Sequence, residues 1–184
     1  MEPVPTMEQN VQPNVSPMKT ALTYGLYLGL GVIIFSLLMY MIDMPLDSKV
    51  HYIQYLIYIV AIWFGVQYHR DNELGGFISY GRALGCGTLI SAVGGILASI
   101  YTFVLFKFID PEMITKIMAM QEKKMLDKGM APEKVDQAMA MTSKFMTPGM
   151  MATFVIPVAI LSGFIISLLV ASVLKKEKPM FDSH

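Results

Sequence analysis

The sequence predicts an all-α membrane protein with four transmembrane helices and an extramembrane amphipathic helical hairpin between the third and fourth spans. Of the 184 residues, 54% are hydrophobic and only 15% are charged, whereas soluble domains carry roughly 25% charged residues. Four long apolar runs are separated by polar residues, and a charged segment with helical periodicity lies between the third and fourth runs. These three observations together define the fold class.

Residues 1–18 are predicted to be a disordered, proline-rich tail. Four prolines lie among polar residues there, and such a composition cannot bury a core. The segment is a poor signal peptide, because Glu2 and Glu8 stand where a basic region is expected and no small-residue cleavage site follows. We therefore expect the first apolar run to be retained as a membrane anchor.

The membrane domain is predicted to extend over residues 19–178, followed by a short tail, 179–184. Each apolar run has the length needed to cross a hydrocarbon core of about 30 Å at about 1.5 Å per residue, although the second, with 17 residues, is near the minimum for a span. Backbone groups inside lipid must find partners within the protein, so we expect these runs to be helices. The predicted spans are residues 21–42, 52–68, 83–106 and 150–174.

The segment 110–147 is predicted to form a helical hairpin outside the membrane, since it holds six lysines and six acidic residues. Asp110 predicts the N-cap of a first helix, and Gly129 predicts its end. Pro132 predicts the start of a second helix, and Thr147 predicts the N-cap of the last span. Both hairpin helices carry a mostly apolar stripe on one face. The stripes are Ile114, Ile117, Met118, Gln121 and Met125, and then Val135, Ala138, Met139 and Thr142.

Small residues recur at four-residue intervals in three of the predicted spans. This spacing places them in one groove along each helix, and such grooves permit close van der Waals contact between helices in lipid. We interpret the grooves as helix-packing seams within the chain, with an oligomer or partner interface as the alternative. The residues are Gly25 and Gly29 in the first span, Gly87, Ser91, Gly95 and Ser99 in the third, and Ala159, Gly163 and Ser167 in the fourth.

The second span is rich in aromatic residues. Aromatic side chains at span ends are typical of anchoring at the membrane interface. We expect the interior ones to face lipid or the bundle, with a ligand pocket as the less favoured alternative. The residues are Tyr52, Tyr55, Tyr58, Trp63, Phe64 and Tyr68.

Charge near the span ends predicts a multi-pass protein of the inner (plasma) membrane with cytoplasmic termini and an outward-facing hairpin. Four spans place both termini on one side, and the positive-inside rule assigns the more basic side to the cytoplasm. If every hairpin lysine is counted, the hairpin side carries eight basic residues and the terminal side six, which would reverse the orientation. We give more weight to the charges next to the span ends. These are Lys19, Arg70, Arg82, Lys175, Lys176 and Lys178 on the terminal side, against Lys49, Lys107 and Lys144.

No motif in the sequence indicates a catalytic centre. A Walker loop, GxSxG, HExxH and CxxC are all missing, and the spans lack the deep ionisable residues typical of proton-coupled transporters. The net charge of zero indicates no nucleic-acid partner. We therefore predict no enzyme activity, no cofactor, and no catalytic or metal site. The expected partners are the lipid bilayer and either a second copy of the chain or another membrane protein.

Two weak metal-binding hypotheses stay open beside this prediction. One uses scattered loop ligands, although Cys86, the lone cysteine, is more typical of a small packing residue. The other uses methionine thioethers, which can bind Cu(I), although methionine also serves as an adaptable filler of apolar faces. The residues are His69, Asp71, Glu73 and Cys86 for the first, and Met118, Met120, Met139 and Met141 for the second.

The leading functional hypothesis is a non-enzymatic association or scaffold protein that uses the hairpin and the small-residue grooves. The alternative is a small permease or channel subunit, in which hydroxyl-bearing side chains would line a wet path. The substrate of such a permease is not named by the sequence. The candidate lining residues are Thr88, Ser91, Ser99 and Ser162.

Two stretches carry a family resemblance. The first, from Ser79 to Met113, is SYGRALGCGTLISAVGGILASIYTFVLFKFIDPEM, a glycine-rich span that ends in the turn FIDPE. The second, from Lys128 to Met141, is KGMAPEKVDQAMAM. Over roughly residues 15–178 the chain resembles a family of small four-span membrane proteins of unknown function, found mostly in Bacteroidetes. The resemblance implies an inner-membrane location and the four-span-plus-hairpin plan, with no catalytic residues to transfer.

Overall fold

The computed structural model describes residues 15–44 and 49–177 of the chain. The predicted tails, apart from residues 15–18, lie outside the described residues. Six α-helices account for most of the described part. They are α1 (Met18–Met41), α2 (Ile53–Tyr68), α3 (Tyr80–Val104), α4 (Met113–Asp127), α5 (Pro132–Ser143) and α6 (Pro148–Leu174).

Three helical stretches of the described chain are long and apolar enough to cross a membrane, one fewer than predicted. They are α1, α6 and Tyr80–Ile109, in which α3 continues through a π-helical turn, Leu105–Ile109. The remaining apolar run forms α2, whose 16 residues fall short of the about 20 that a transmembrane helix needs. A second π-helical turn, His69–Glu73, lengthens α2, but the residues that it adds are polar.

Helix α3 lies at the centre of the packed helices and contacts α1, α2 and α6. Leu28 of α1, Ile62 of α2 and Ile90 of α3 are fully buried between them. Large apolar side chains such as Leu161 and Leu169 stay exposed on the outside of α6. This pattern is expected of helices whose outer surfaces face lipid rather than water.

The start of α6 follows the sequence prediction. The Thr147 hydroxyl oxygen accepts a 3.3 Å hydrogen bond from the backbone amide of Met150, and Pro148 occupies the first helical position. Proline is favourable there because its missing N–H would have no helical partner. Pro157 lies inside α6 without ending the helix.

The segment between α2 and α3 closes one end of the bundle. Ile78 and Lys176 exchange two antiparallel backbone hydrogen bonds of 2.9 and 3.0 Å, which tie this segment to the end of α6. Gly75 and Gly76 turn the chain with φ of +67° and +89°, a region that glycine enters without a steric cost. The turn thereby returns the chain from α2 to the start of α3.

Helices α4 and α5 contact each other and are joined by a short turn. Gly129, with φ of +79°, follows the end of α4, and Pro132 is the first residue of α5, as predicted. The prediction of Asp110 as an N-cap is wrong, because α4 begins three residues later, at Met113. The Asp110 carboxylate instead accepts a 3.0 Å hydrogen bond from the ammonium of Lys116.

The two stripes predicted for α4 and α5 are the shielded faces of these helices. Every residue of the α4 stripe is half-buried, although no residue of this described helix is fully buried. In the α5 stripe, Val135 is fully buried and the other three residues are half-buried. The period of about 3.6 residues therefore identifies the inward face of each helix.

Candidate functional site

The small-residue seam of α3 lies against α6. A β-carbon added at Gly95 would lie 2.7 Å from the β-carbon of Ala159, closer than two such atoms can approach. Added β-carbons at Gly87 and Gly163 would overlap facing serine side chains in the same way. The structure thus brings six of the predicted seam residues together in facing pairs: Gly95 with Ala159, Gly87 with Ser167, and Gly163 with Ser91.

The remaining predicted seam residues also meet other helices of the same chain. A β-carbon added at Gly25 would lie 2.5 Å from the β-carbon of Val93. Gly29 lies in the same way against Leu97 of α3. The hydroxyl of Ser99 donates a 2.7 Å hydrogen bond to the carbonyl of Ala152, which joins α3 to α6. The seams are therefore occupied by intramolecular contacts.

A buried polar cluster joins the start of α1 to the π-helical turn after α2. The hydroxyl of Thr20 donates a 2.8 Å hydrogen bond to the Glu73 carboxylate, which also pairs with Nδ1 of His69. An ionised carboxylate only accepts hydrogen bonds, so Nδ1 carries the proton in this pair. His69 is fully buried, and its Nε2 has no hydrogen-bond partner among the described residues.

The charges of this turn are held by local partners. Burial raises the pKa of the Glu73 carboxyl, but the hydrogen bonds from His69 and Thr20 outweigh this effect and leave the pKa below its ordinary value. Arg70 donates a 2.7 Å hydrogen bond to Asp71 and thereby lowers the pKa of that carboxyl. Arg70 also donates to the Leu174 carbonyl at the end of α6, at 3.3 Å. The cluster thus ties α1, α2 and α6 together.

This arrangement provides no evident metal site. Asp71 is held by Arg70, whereas His69 and Glu73 form their own pair. Across residues 15–44 and 49–177, no group of three or more His, Cys, Asp or Glu side chains could hold a metal ion. Copper binding by the methionine pairs of α4 and α5 stays an untested hypothesis.

A half-open cavity of about 670 Å³ lies toward the opposite end of the bundle. Residues of α1, α2, α3, α4 and α6 all contribute to its wall. Its size falls within the roughly 300–1,000 Å³ range of small-molecule sites. Tyrosines, hydroxyl side chains and an amide are interspersed with aliphatic residues in the lining. The polar members include Tyr52, Gln54, Tyr55, Tyr58, Tyr101 and Ser162.

The comparisons with known proteins identify the family of the chain. The model of a family described as a protein of unknown function (DUF4199) matches residues 23–176. The chain belongs to the DUF4199 family. The match extends from α1 to the end of α6, so α4 and α5 are part of the DUF4199 domain. No curated protein and no solved structure matches the chain. The expected Bacteroidetes origin stays a prediction.

Most of the hydroxyls proposed for a wet path in this DUF4199 domain are used elsewhere. Thr88 and Ser91 donate hydrogen bonds to backbone carbonyls of their own helix, at 2.8 and 3.1 Å. The Ser99 hydroxyl is bound to α6. Of the four candidates, Ser162 contributes to the wall of the cavity.

Tyr101 is the polar wall residue that sequence analysis of the DUF4199 domain missed. Its hydroxyl oxygen is buried and has no hydrogen-bond partner among the described residues. The sequence offered one signal, a tyrosine inside an otherwise apolar span. It did not indicate which residues of other helices surround this tyrosine. The interior aromatic residues of the second span are predicted to face lipid or the bundle, with a ligand pocket as the less favoured alternative. Tyr55 and Tyr58 of α2, and Tyr52 just before it, line the cavity with Tyr101.

Proposed function

We propose that this DUF4199 protein is a four-span membrane protein without enzyme activity that associates with another membrane protein through α4 and α5. The observation that carries the proposal is a set of large apolar side chains left exposed on these two charged helices and the segments that follow them. Met141 and Phe145 are 68% and 54% exposed. We call Leu126, Met130, Met141 and Phe145 the hairpin surface.

The contacts at the closed end of the bundle support α2 as the fourth span. Thr20, near the start of α1, contacts Glu73, just after the end of α2. These two helices therefore run in opposite directions with the end of one beside the start of the other. The apolar stretch from Tyr52 to Tyr68 has 17 residues, which is the lower end of the roughly 17–25 residues of a transmembrane helix. The π-helical turn His69–Glu73 continues α2 with polar residues, which suit the interface rather than the hydrocarbon core.

The same contacts support an inner-membrane orientation with cytoplasmic termini and an outward hairpin. The basic residues Lys19, Arg70 and Lys176 belong to the segments that meet at the closed end of the bundle. Basic residues next to span ends favour the cytoplasmic side. In this orientation α4 and α5 face outward.

Charge supports a protein partner rather than an anionic lipid surface. Segment 110–147 holds six lysines and six acidic residues, so it offers no net attraction to anionic headgroups, which recognise clusters of basic residues. The small-residue seams are engaged within the chain, which leaves the hairpin surface for association. Exposed apolar side chains rimmed by charged residues are typical of protein interaction sites.

Site-directed photocrosslinking tests this association. A photoreactive residue at Gln137, which is exposed on α5 one turn before Met141, should yield discrete protein adducts in native membranes. Serine at Leu126, Met141 and Phe145 should abolish these adducts without lowering the thermal unfolding midpoint, because all three side chains are exposed. The control E133Q/K134Q, on the exposed surface of α5, should retain them. Adducts with lipid only, or adducts unaffected by the serine variant, would contradict the proposal.

The cavity favours a second candidate function, a small permease or channel subunit. Its wall combines Tyr58, Gln54 and Ser162 with aliphatic residues, and the cavity is half-open. Purified protein in liposomes should then move a solute at a rate above that of empty liposomes. Filling the cavity with S162F should lower that rate, whereas S172A, on the exposed surface of α6, should leave it unchanged. Equal rates with and without protein would exclude this function for the solutes tested.

A further inference from the structure

Two hydroxyl side chains, on α2 and α6, lie at the same depth in the wall of the cavity. A β-carbon added at Gly87 would lie 2.9 Å from Cγ2 of Ile62 and 3.0 Å from the β-carbon of Ser167, so these two residues share one level of the bundle. Tyr58 comes four residues before Ile62, about one helical turn farther from the closed end. Ser162 comes five residues before Ser167, which places it at the depth of Tyr58.

Both hydroxyls are available to a molecule in the cavity. Tyr58 is only 6% exposed, and its hydroxyl has no hydrogen-bond partner among the described residues. Unlike the Tyr101 hydroxyl, it is not fully enclosed by protein, so a molecule in the cavity can reach it. The hydroxyl of Ser162, a half-buried residue, is likewise unpaired within the described chain. Helical side chains lean toward the helix N-terminus, so both hydroxyls point away from the closed end and toward the cavity.

The rest of the deep wall is aliphatic. Val32, Ala98 and Ala159 line the cavity and are buried in the bundle core. Among the described lining residues, the only charged side chain is that of Lys124, which is exposed on α4. An ionised group buried without an opposite charge is strongly unfavourable, whereas a hydroxyl needs only hydrogen bonds. The deep wall therefore favours an uncharged molecule that is polar at one point and otherwise apolar.

We propose that the cavity binds one uncharged alcohol whose hydroxyl forms hydrogen bonds with Tyr58 and Ser162 and whose hydrocarbon part lies on the aliphatic wall. An alcohol hydroxyl both donates and accepts, so it can pair with two hydroxyl side chains at once. The volume of about 670 Å³ suits one small molecule. A lipid with an uncharged glycerol head and a water-soluble alcohol share this chemistry. The proposal rests neither on the association of the hairpin surface with a partner nor on solute transport.

Photolabelling with an alcohol tests the proposal in the full chain. The probe is an eight-carbon alcohol with a diazirine in its chain, added to protein in phosphatidylcholine liposomes, and labelled peptides are identified by mass spectrometry. We expect labelling to concentrate on wall segments of the cavity and to be displaced by octanol. Octane, which lacks the hydroxyl, and octanoate, which is charged, should each displace the probe less effectively.

Two further competitors distinguish the sources of the alcohol. Monooleoylglycerol is supplied in the bilayer, and glycerol is supplied in the buffer. Displacement by monooleoylglycerol would support a membrane lipid as the ligand, whereas displacement by glycerol would support a water-soluble alcohol.

Matched variants separate hydrogen bonding by the two hydroxyls from general lipid contact. Y58F should weaken octanol binding by about two- to tenfold and should leave octane binding unchanged, so the preference for the alcohol should shrink. It should not lower the unfolding midpoint of ligand-free protein, since the hydroxyl has no partner in the described chain. S162A should act in the same direction. The controls Y27F, at an exposed position of α1, and S172A, on the exposed surface of α6, should bind octanol like the wild type.

Three results would overturn the proposal. The first is labelling spread over the exposed apolar surface with no displacement by octanol. The second is a Y58F variant that binds octanol as well as Y27F does. The third is displacement by octane or octanoate as effective as that by octanol, which would remove the uncharged hydroxyl from the recognised chemistry. A negative crosslinking result at Gln137, or liposomes without solute flux, would leave these outcomes unchanged, so the proposals fail separately.

Discussion

Gly163 on α6 faces Ser91 on α3 with no room between them for a single β-carbon. We expect G163A to destabilise the protein by about 1–3 kcal/mol, because overpacking forces the two helices apart. The measurement is thermal unfolding in detergent. G149A is the control on the same helix, since its β-carbon would meet no atom within 4 Å.

A second substitution at Ser91 should compensate for the first. S91G removes the side chain that the new β-carbon would strike, so G163A/S91G should recover much of the stability lost in G163A alone. Equal unfolding temperatures for G163A and G149A would contradict the close contact between α3 and α6 at Gly163.

The Glu73 carboxylate should make the stability of the fold depend on pH in the acidic range. Its pKa lies below the ordinary 4.5, so its contribution is complete above that value and is lost as the pH falls through the lower folded pKa. Stability should therefore fall as the pH drops below about 4.5 and through the lower folded pKa of Glu73. E73Q should be less stable at neutral pH by about 1–3 kcal/mol, because His69 and Thr20 lose a charged acceptor.

The pH dependence separates Glu73 from the other carboxyls. In E73Q the decline of the unfolding midpoint under acid should be shallower than in the wild type. E133Q, which changes an exposed carboxyl of α5, should keep the wild-type profile. Parallel acid profiles for wild type and E73Q would contradict a role for the Glu73 charge.

The hydrogen bond from Ser99 to the carbonyl of Ala152 should contribute measurably to stability. S99A should lower the free energy of unfolding by about 0.6 kcal/mol, with about 1.7 kcal/mol as an upper bound for such interhelical bonds. S172A should have a smaller effect, because the Ser172 hydroxyl donates to the Leu168 carbonyl within its own helix. Denaturant titration of both variants in detergent provides the comparison, and an S99A effect no larger than that of S172A would contradict it.

Cysteine labelling tests the proposed fourth span. With an impermeant thiol reagent on intact spheroplasts, D43C and A131C should be labelled, whereas N72C should be protected until the membrane is permeabilised. Cys86 is buried and provides an unreactive background. If D43C and N72C react alike, α2 does not cross the membrane. Labelling of N72C alone would reverse the orientation.

Several features were predictable because they depend on neighbours in sequence. The end of α4 follows from Gly129 and the start of α5 follows from Pro132, because the backbone preferences of glycine and proline act locally. The inward faces of both helices follow from their apolar period. Asp110 was misassigned because a carboxylate at this position can either cap a helix or pair with a nearby lysine. The backbone places it beside Lys116, and it pairs with that lysine.

The sequence by itself determined the helices, the small-residue grooves and the charge of the hairpin, since hydropathy and periodicity are properties of short stretches of chain. The tertiary structure decided which groove meets which helix, and it alone brought Thr20 to Glu73, 53 positions later. The cavity and the burial of the Tyr101 hydroxyl were likewise decided by the tertiary structure. Five helices form the wall of the cavity, and only their packing determines which side chains face the space between them.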